Sequence, residues 1–419
     1  MNITRLLIAN RGEIAVRIMQ TAHKLDIEAI AVYSTVDADA LHVKTADHAF
    51  LIGNAPAKDS YLNMDRILQA ASDSKADAIH PGYGFLAENP EFADRCGKAG
   101  IIFIGPTVKA IKSMGLKGVA KTKMRDAGVP VLPGIDKVND KTIEGQLEDI
   151  GYPVLVKPEA GGGGKGMKIV REPEQLMEAI QSAKREALSA FGNDTLIVEK
   201  YLEHPRHIEI QIFADQHGNC VHLNERDCSL QRRHQKIIEE APAPNFPDSL
   251  RQQMGKAAVC AATAIDYVGA GTVEFLLAGD GKFYFMEMNT RLQVEHGVTE
   301  MITGLDLVEW QLKIAAGEHL PLSQDDIGIK GHAVEVRIYA EDPLNEFLPA
   351  SGKIEHLELP NGVRTDNGVA AGDIIGVHYD PMMMKIIARS SSRDEAISQL
   401  GDALASLKIA GVKTNRDFL

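Results

Sequence analysis

Two carboxylates and one amide occur in a segment that could bind a divalent cation. The stretches TVEFLL and FYFMEMN predict two β-strands, and the Asp280-Gly281 pair between them is a strong signal for a two-residue hairpin turn. Glu274 and Glu287 are equidistant from the centre of this turn, so we expect them to face each other, with Asn289 further along the same face. Carboxylates about 5 Å apart repel each other unless a cation lies between them. The set therefore predicts a Mg²⁺ site shared with ATP phosphates.

The alternative interpretation of this hairpin is an acidic ladder on a solvated face of a sheet. Phe283 and Phe285 would share the face of Glu287, and two aromatic rings on that face favour burial. A loop longer than two residues would shift the register and separate the carboxylates. The predicted metal site therefore depends on the turn.

The segment TRLQVEH, which follows directly, carries groups suited to binding and deprotonating a small anion. Arg291, Gln293 and Glu295 alternate with apolar residues, so we expect them on one face. Arginine and glutamine side chains can hold a small planar anion, and the glutamate beside them can act as a general base. This segment predicts an anion site next to the metal site.

Further cationic groups precede and follow these segments. The stretch RRHQK supplies His234 and Lys236, and Arg337 lies in the predicted strand AVEVRIYA, opposite its apolar face. Cations gathered beside a metal site are expected where negative charge builds up during phosphoryl transfer. A solvated basic loop is the alternative for residues 231–236.

A glycine-rich loop and an alternating strand complete the candidate site. GGGGKG at residues 161–166, with Lys157 before it, presents backbone N–H groups that could approach phosphates closely. It does not match a Walker loop, so a lid over a nucleotide and a simple mobile hairpin both remain open. HIEIQIF places His207, Glu209 and Gln211 on one face and three isoleucines on the other. The polar face is either solvated or part of the site.

The first of three regions that must position these residues spans residues 1–113. Apolar strands such as LLIAN and AIAVY alternate there with helical patterns, which predicts a doubly wound parallel α/β sheet. In such sheets ligands bind at the carboxyl ends of strands, where Arg11, Gly12 and residues 80–88 fall. Turn chemistry alone is the alternative for these residues.

The rest of the chain predicts a different architecture. Residues 114–328 predict hairpins with helices between them, typical of an α+β domain, and a lid subdomain is expected at about 130–202. Residues 329–419 begin with the alternating stretch GHAVEVRIYAED and end with a helix predicted over 394–407. The chain ends at KTNRDFL without a capping element, so we expect this third domain to be truncated here.

Composition excludes several classes of function. With 44% hydrophobic and 25% charged residues, the chain has the composition of an ordinary globular protein. The formal net charge of −13 argues against a general nucleic-acid binder. No stretch approaches the roughly 20 apolar residues of a membrane span. The four cysteines form no CxxC pair, so we expect reduced thiols and a cytoplasmic protein.

The motifs together resemble a known family. The chain carries IANRGEIAVRI, HPGYGFLAEN, GGGGKGM, EKYLEHPRHIEIQI, ERDCSLQRRHQK and MNTRLQVEH, which are similar to the biotin carboxylase component of biotin-dependent carboxylases. The resemblance runs from residue 4 to the last residue. It implies a pre-ATP-grasp Rossmann-like domain at 1–113, an ATP-grasp domain with a glycine-rich lid at 114–328, and a biotin carboxylase C-terminal domain at 329–419.

The resemblance also implies roles for individual residues. For the ATP site it implies Lys117, Lys157, Gly163 and Gly164 near the phosphates, Glu199, Lys200, Tyr201 and Leu202 at the adenine edge, and His207, Gln231 and His234 beside the nucleotide. It implies Glu274, Glu287 and Asn289 as metal ligands, with both glutamates also part of the ATP site. For bicarbonate it implies Lys236, Arg291, Gln293, Val294 and Glu295. Among these, Glu295 is implied as the base and Lys236 and Arg291 as catalytic, while Arg337 is implied to stabilise the biotin enolate.

The reaction that the resemblance implies is ATP-dependent carboxylation of biotin. Bicarbonate attacks the γ-phosphate to give carboxyphosphate and ADP, and phosphate released with CO₂ then removes the biotin proton. A closing lid suits this chemistry, because water would hydrolyse carboxyphosphate. We expect ATP and Mg²⁺ or Mn²⁺ as cofactors, and a biotin carboxyl carrier, a carboxyltransferase and a second copy of the chain as partners. The sequence has no EAMKM-like biotinylation site, so we expect the biotin to be carried by a separate subunit or by a missing C-terminal region.

Two other functions are alternatives. A carbamoyl phosphate synthase subunit also phosphorylates bicarbonate, but RRHQK and LQVEH argue against it. A non-catalytic nucleotide-binding subunit would be expected to lack Lys236, Glu295 or a metal ligand, and all are present. Leu116 and the stretches VEWQL and VHYDP resemble the methylcrotonyl- or propionyl-CoA type more than the acetyl-CoA type. Gly297 departs from the family, which mostly has Pro at this position.

Overall fold

The N-terminal part of the protein is a parallel α/β sheet. A computed structural model of the chain describes residues 3–136, 138, 142–159, 166–233 and 235–419. The strands are β1 (Arg5–Ile8), β2 (Glu28–Ser34), β3 (His48–Gly53), β4 (Ala78–His80) and β5 (Ile102–Phe103), in the order β3-β2-β1-β4-β5. The helices are α1 (Gly12–Lys24), α2 (Leu41–Thr45), α3 (Met64–Ser74), α4 (Pro90–Lys98) and α5 (Val108–Met114). The predicted doubly wound sheet is confirmed.

Burial on both faces explains the apolar sequence of β1. Leu6 and Ile8 pack into one hydrophobic cluster and Leu7 into another, on the opposite side of the sheet. At the carboxyl end of the strand, Asn10 donates hydrogen bonds to the carbonyl oxygens of Pro81 (2.8 Å) and Tyr83 (2.7 Å). The loops after β1 and β4, which carry two of the sequence motifs, are thereby joined.

A small four-stranded sheet follows in the region predicted as the lid. Its elements, preceded by α6 (Lys117–Asp126), are β6 (Gly134–Ile135), α7 (Ile143–Leu147), β7 (Val154–Pro158), β8 (Lys168–Val170), α8 (Leu176–Phe191) and β9 (Leu196–Lys200). The strands pair in the order β6-β9-β7-β8. Helix α8 buries its apolar side against this sheet, with Ile180 and Ala183 fully buried. The glycine-rich segment GGGGKG lies outside the described residues except for Gly166.

A long antiparallel sheet spans the rest of the chain. Its central elements are β10 (Arg206–Ala214), β11 (Cys220–Arg232), β12 (Gln235–Ala241), α9 (Asp248–Thr263), β13 (Gly269–Leu277), β14 (Phe283–Asn289), α10 (His296–Thr303) and α11 (Leu307–Ala315). The C-terminal elements are β15 (His332–Tyr339), β16 (Glu341–Asp342), β17 (Leu348–Pro349), β18 (Gly352–Lys353), β19 (His356–Glu358), β20 (Arg364–Asn367), β21 (Ile374–Ile375), β22 (Met382–Ser390), α12 (Arg393–Ser406) and β23 (Lys408–Ala410). The strand order is β14-β13-β10-β11-β12-β15-β22-β20.

The pairing of β12 with β15 makes this sheet continuous from the central to the C-terminal region. The short strands form three two-stranded ladders, β16-β17, β18-β21 and β19-β23. Single 3₁₀ turns occur at Thr35–Asp37, Ala57–Asp59, Pro173–Gln175, Gln324–Asp326 and Arg416–Phe418. The mixed α/β and α+β architecture is therefore as predicted, while the boundaries at 113/114 and 328/329 stay predictions.

The hairpin of β13 and β14 has the predicted carboxylate pairing but not the predicted turn. Its loop has three residues, closed by a hydrogen bond from Ala278 N–H to the carbonyl of Lys282 (2.8 Å), with Gly281 at φ 84°. This turn alone would move Glu274 out of register with Glu287. A bulge at Met286 inserts one extra residue and restores the pair Glu274↔Glu287.

The same bulge corrects a second expectation. Phe285 does not share the face of Glu287, because the strand switches faces at the bulge. Phe285 is paired with Phe275, and both rings are buried in the central hydrophobic cluster. Glu287 is paired with Glu274 and lines the cavity described below, which Phe285 also lines. The pair of Phe275 and Phe285 therefore lies on the face of the hairpin opposite the pair of carboxylates.

Candidate active site

A cavity of about 1020 Å³ brings together residues from the three predicted domains. The predicted site residues that line it are Lys117, Lys157, Glu199, Lys200, Tyr201, Leu202, His207, Gln231, Lys236, Glu274, Glu287, Asn289, Arg291, Gln293, Val294, Glu295 and Arg337. The predicted residues Gly163, Gly164 and His234 lie outside the described part of the chain. The N-terminal sheet contributes Arg11 and Gly12, at the carboxyl end of β1.

Lys236 is the centre of the most acidic part of the cavity. Its Nζ donates hydrogen bonds to Glu209 (2.6 Å), Glu274 (2.9 Å) and Glu295 (2.6 Å). Burial disfavours the ammonium form, but the three carboxylates outweigh it and raise the pKa of Lys236 well above its usual value. Strand alternation produces this arrangement, because β10 turns its isoleucines into the core and Glu209 toward Lys236.

Glu295 lies between two cations. Its second oxygen accepts a hydrogen bond from Arg337 Nη2 at 3.0 Å, and Arg337 also lies 2.5 Å from Glu239. Burial opposes the ionisation of Glu295, yet Lys236, Arg337 and Arg226 hold its pKa well below its usual range. Glu295 is therefore ionised, and each of its two oxygens accepts a hydrogen bond from a cation, before any ligand binds.

Arg291 is positioned by the N-terminal domain. Its Nε donates to Glu88 at 2.8 Å, and Glu88 also accepts a hydrogen bond from Thr290 N–H at 2.9 Å. Glu88 belongs to the motif HPGYGFLAEN, so this motif acts on the site through Arg291. The segment TRLQVEH is not a strand as its alternation suggested; Glu295 is the N-cap residue of α10 and the residues before it form a turn. The predicted residues still meet, because the turn brings them beside β13.

The predicted metal ligands occur together on β13 and β14. Asn289 Nδ2 donates to Glu274 Oε1 at 2.8 Å, and His207 Nε2 lies 2.9 Å from Glu274 Oε2. Burial and the charge of Glu274 raise the pKa of Glu287. Two carboxylates and an amide are a donor set that fits Mg²⁺. Glu287 feels the charges of Lys117 and Lys236 but has no described ion-pair partner that a cation would have to displace. Binding would require Glu274 to exchange its contacts with Lys236 and His207.

The nucleotide side of the cavity is formed by the lid sheet and α6. Lys157 Nζ lies 2.5 Å from Glu199 Oε2, and Lys121 forms an ion pair with the other oxygen of this carboxylate. The side chain of Glu199 is thus turned toward two lysines. Lys200 donates to the carbonyl oxygens of Gly151 (3.2 Å) and Tyr152 (2.8 Å), which fixes the start of the segment that lines the cavity after β9.

Sequence reasoning missed several residues that complete the site. Lys121 is buried and lies one helical turn after Lys117, so the i,i+4 spacing on α6 was a signal that could have revealed it. Arg226 is fully buried and donates to Glu209 and Gln211, which orders the acidic group around Lys236. Glu239 pairs with Arg337. The partners of Arg226 and Glu239 lie on other strands, so no local spacing pointed to these two residues.

Comparison with known proteins defines the class of the protein. Residues 2–111 match the family model of the biotin carboxylase N-terminal domain, residues 117–323 that of the carbamoyl-phosphate synthase L chain ATP-binding domain, and residues 335–419 that of the biotin carboxylase C-terminal domain. An ATP-binding domain between two biotin carboxylase domains defines an ATP-dependent ligase of the ATP-grasp type.

Individual relatives agree with this class. The chain is 53% identical over 419 residues to a biotin carboxylase of Halalkalibacterium halodurans, covering 99% of this chain and 92% of that protein. It is 54% identical over 423 residues to the alpha subunit of rat mitochondrial methylcrotonoyl-CoA carboxylase, covering 100% of this chain but spanning 59% of the length of that relative.

A solved structure shows the same fold. The biotin carboxylase domain dimer of Hydrogenobacter thermophilus 2-oxoglutarate carboxylase, in complex with MgADP, ADP and bicarbonate, superimposes with a TM-score of 0.94 at 45% identity, covering 99% of this chain and 92% of that chain. The chain belongs to the biotin carboxylase family, which confirms the resemblance and the predicted class of enzyme. Among the described residues, no helix is long and apolar enough to cross a membrane.

Proposed function

We propose that the chain uses ATP, bicarbonate and Mg²⁺ to carboxylate biotin on a carrier, through carboxyphosphate, as the first half-reaction of an acyl-CoA carboxylase. The observation that carries this proposal is the Lys236–Glu295–Arg337 cluster, which adjoins the Glu274 and Glu287 pair in one cavity. In this cluster Lys236 is a cation for the anionic substrate, and Glu295 is a carboxylate base. Arg337 is a second cation for the biotin enolate that forms later.

Bicarbonate replaces some of the carboxylates that Lys236 and Arg291 contact. When Lys236 turns toward the incoming anion, Glu295 loses a stabilising charge, so its affinity for a proton rises. Glu295 then accepts the bicarbonate proton, which leaves a better nucleophile toward the γ-phosphate. Gln293 donates to Glu274 at 3.3 Å and can present its amide to the same anion. The depressed pKa of Glu295 keeps it ionised, and therefore ready as a base, until bicarbonate arrives.

ATP is held on the side of Lys117 and Lys157. Lys117 is the first residue of α6, where the backbone N–H groups and the helix dipole favour an anion. Glu274, Glu287 and Asn289 would hold the divalent cation, which neutralises phosphate charge as it is transferred. The amide and carboxylate oxygens suit Mg²⁺, and Mn²⁺ accepts a similar ligand set.

Biotin is proposed to bind next to Arg337. The guanidinium of Arg337 keeps Glu239 as a counter-ion when Glu295 takes a proton. Burial opposes its charge, but Glu239 and Glu295 outweigh burial and raise the pKa of Arg337 well above its usual value. A fixed cation at this position stabilises negative charge on the ureido oxygen when the ring nitrogen is deprotonated by phosphate.

The proposed assembly contains further components. A biotin carboxyl carrier, either a domain or a subunit, and a carboxyltransferase would complete the carboxylase. An acceptor of the methylcrotonyl- or propionyl-CoA type is supported by the methylcrotonoyl-CoA carboxylase relative. A homodimer is supported by the dimeric Hydrogenobacter domain. The free cysteines Cys96, Cys220, Cys228 and Cys260 suit a reducing compartment such as the cytoplasm. In the matched eukaryotic relatives the name specifies mitochondria.

The deciding experiment measures ATP cleavage with Mg²⁺, bicarbonate and free biotin. We expect biotin to stimulate ADP release by the wild-type chain, and Glu295→Gln to lower turnover by about 10²–10⁴-fold, because the base is lost. Arg337→Ala should retain bicarbonate-dependent ATP cleavage and lose the stimulation by biotin. ATP cleavage that depends on bicarbonate but not on biotin would instead favour a carbamoyl-phosphate type of acceptor.

A further inference from the structure

A buried lysine beside the cavity contacts the loop that carries the proposed bicarbonate residues. Lys385 lies in β22, and its side chain is fully buried. Its Nζ donates a hydrogen bond of 2.5 Å to the backbone carbonyl oxygen of Val294. Val294 lines the cavity, whereas Lys385 is not among the described residues that do. Lys385 therefore reaches the site through the loop and not by contact with a ligand.

The charge of this lysine is maintained by three carboxylates. Asp366 Oδ2 lies 3.4 Å and Glu13 Oε2 lies 3.8 Å from Lys385 Nζ, both further than the carbonyl of Val294. Burial disfavours the ammonium, but Glu13, Glu335 and Asp366 outweigh it and raise the pKa of Lys385. The carboxylates thus keep the group charged, while its shortest hydrogen bond goes to the backbone carbonyl. A charged donor makes this hydrogen bond stronger than one between neutral groups.

Lys385 forms one half of a two-point contact. It is paired across β15 and β22 with Arg337, whose Nη2 binds Glu295 at 3.0 Å. Two neighbouring cations on adjacent strands therefore hold two successive residues of the loop, one by its carbonyl and one by its carboxylate. If either contact is lost, the loop can pivot about the other.

The loop also lies directly on this sheet. A Cβ atom added at Gly297 would be 2.3 Å from Ile387 Cδ1 and 2.9 Å from Glu335 Oε2. Ile387 follows two residues after Lys385 on the same strand, so the start of α10 is seated on the same face of β22. Such a close approach leaves the backbone from Val294 to Gly297 little freedom as long as Lys385 holds the carbonyl.

We propose that Lys385 is a positioning residue for the bicarbonate site, which fixes the Val294 carbonyl and thereby the placement of Gln293 and Glu295. The proposal rests on the function proposed above, and adds a residue that acts from the C-terminal domain. If Lys385 only balanced buried charge, its loss would affect folding and KM for ATP as much as KM for bicarbonate. If it positions the loop, its loss affects KM for bicarbonate selectively.

The test compares the wild type with Lys385→Met, Lys385→Arg and Arg389→Met. Arg389 is the matched control, because it also lies on β22 and donates to a backbone carbonyl, that of Lys330, but is exposed. We expect Lys385→Met to raise KM for bicarbonate by about tenfold or more and KM for ATP by less than about twofold. Lys385→Arg should recover part of the loss, and the control should match the wild type.

Hydrogen exchange of the backbone amides of residues 293–298 provides a readout that does not need turnover. Exchange should be faster in Lys385→Met than in the wild type and in Arg389→Met. If Lys385→Met does not fold, the double variant Lys385→Met, Glu13→Gln takes its place, because Glu13 would lose its described ion pair with Lys385 whereas Asp366 keeps its pair with Arg364. Unchanged exchange, or parallel rises in both KM values, would overturn the positioning role. Absence of biotin stimulation in the wild type would count against the proposed function, and the exchange result would still decide the role of Lys385.

Discussion

The bicarbonate side and the nucleotide side of the cavity differ in how their cations are balanced. Lys236 makes hydrogen bonds to three buried carboxylates before any substrate is present. Lys117, on the nucleotide side, forms no hydrogen bond or ion pair with any described residue. The charge of Lys157 is balanced to an intermediate degree, because its ion-pair partner Glu199 also pairs with Lys121.

The difference indicates two ways to prepare a site for an anion. Around Lys236 and Arg337 the protein supplies its own counter-ions, so the geometry is set in advance and a substrate must displace internal contacts. At Lys117 the phosphates themselves would be the counter-ion, so the charge there favours binding without contributing to the fold. A small substrate such as bicarbonate offers few contacts, which is why its half of the site depends more on preorganisation.

The largest effect is expected from Lys236→Met. The variant removes one buried positive charge from beside Glu209, Glu274 and Glu295, which keep only Arg226, His207 and Arg337 as described ion-pair partners, and this costs about 3–5 kcal/mol of folding free energy. Bicarbonate-dependent ATP cleavage should also be lost. Urea denaturation followed by circular dichroism measures the first effect, and ADP release the second. A variant as stable as the wild type would contradict the view that this half of the site is part of the folded framework.

Lys117→Met should give the opposite combination. Loss of a charged contact to phosphate is worth about 1.5–3 kcal/mol, so Kd for MgATP should rise by about 10- to 100-fold. Stability should change by less than about 0.5 kcal/mol, because the residue forms no described hydrogen bond or ion pair and its attraction to Glu287 is offset by its unfavourable position at a helix N-terminus. Calorimetric titration with MgATP and thermal denaturation measure the two quantities. A marked loss of stability would remove the distinction between the two halves.

The sequence predicted most residues of this site, but not all of the structural features that bring them together. Glu274 and Glu287 pair as expected, although the expected two-residue turn is replaced by a three-residue loop and a bulge at Met286. Two deviations of one residue each cancel, and a register argument from the turn alone cannot detect either. The isoleucines of β10 were predictable because an alternating pattern in one strand needs no knowledge of its neighbours.

Residues whose role depends on pairing between distant strands were not predictable. Glu239 meets Arg337 because β12 and β15 are neighbours in one sheet, and Lys385 meets Val294 because the start of α10 packs on β22. The alternation of TRLQVEH suggested a strand, yet the segment is a turn before α10. Its polar residues converge because the turn is held at both ends, by Glu88 and by Lys385.

The smallest expected effect concerns the metal site, which lies between the two halves. Glu287→Gln should stabilise the metal-free chain at pH 8 by at most about 1 kcal/mol, since like charges opposite each other on paired strands are destabilising. The pKa of Glu287 is raised in the folded protein, so the carboxyl contributes most to stability at low pH and this contribution is lost as pH rises through the folded pKa. The difference in the free energy of unfolding between the variant and the wild type, measured by urea denaturation with EDTA, should therefore be greater at pH 8 than at pH 5. Added Mg²⁺ should stabilise the wild type more than the variant. If the variant is instead less stable than the wild type at pH 8 without metal, Glu287 already has a compensating partner. It would then belong to the preorganised bicarbonate side of the cavity.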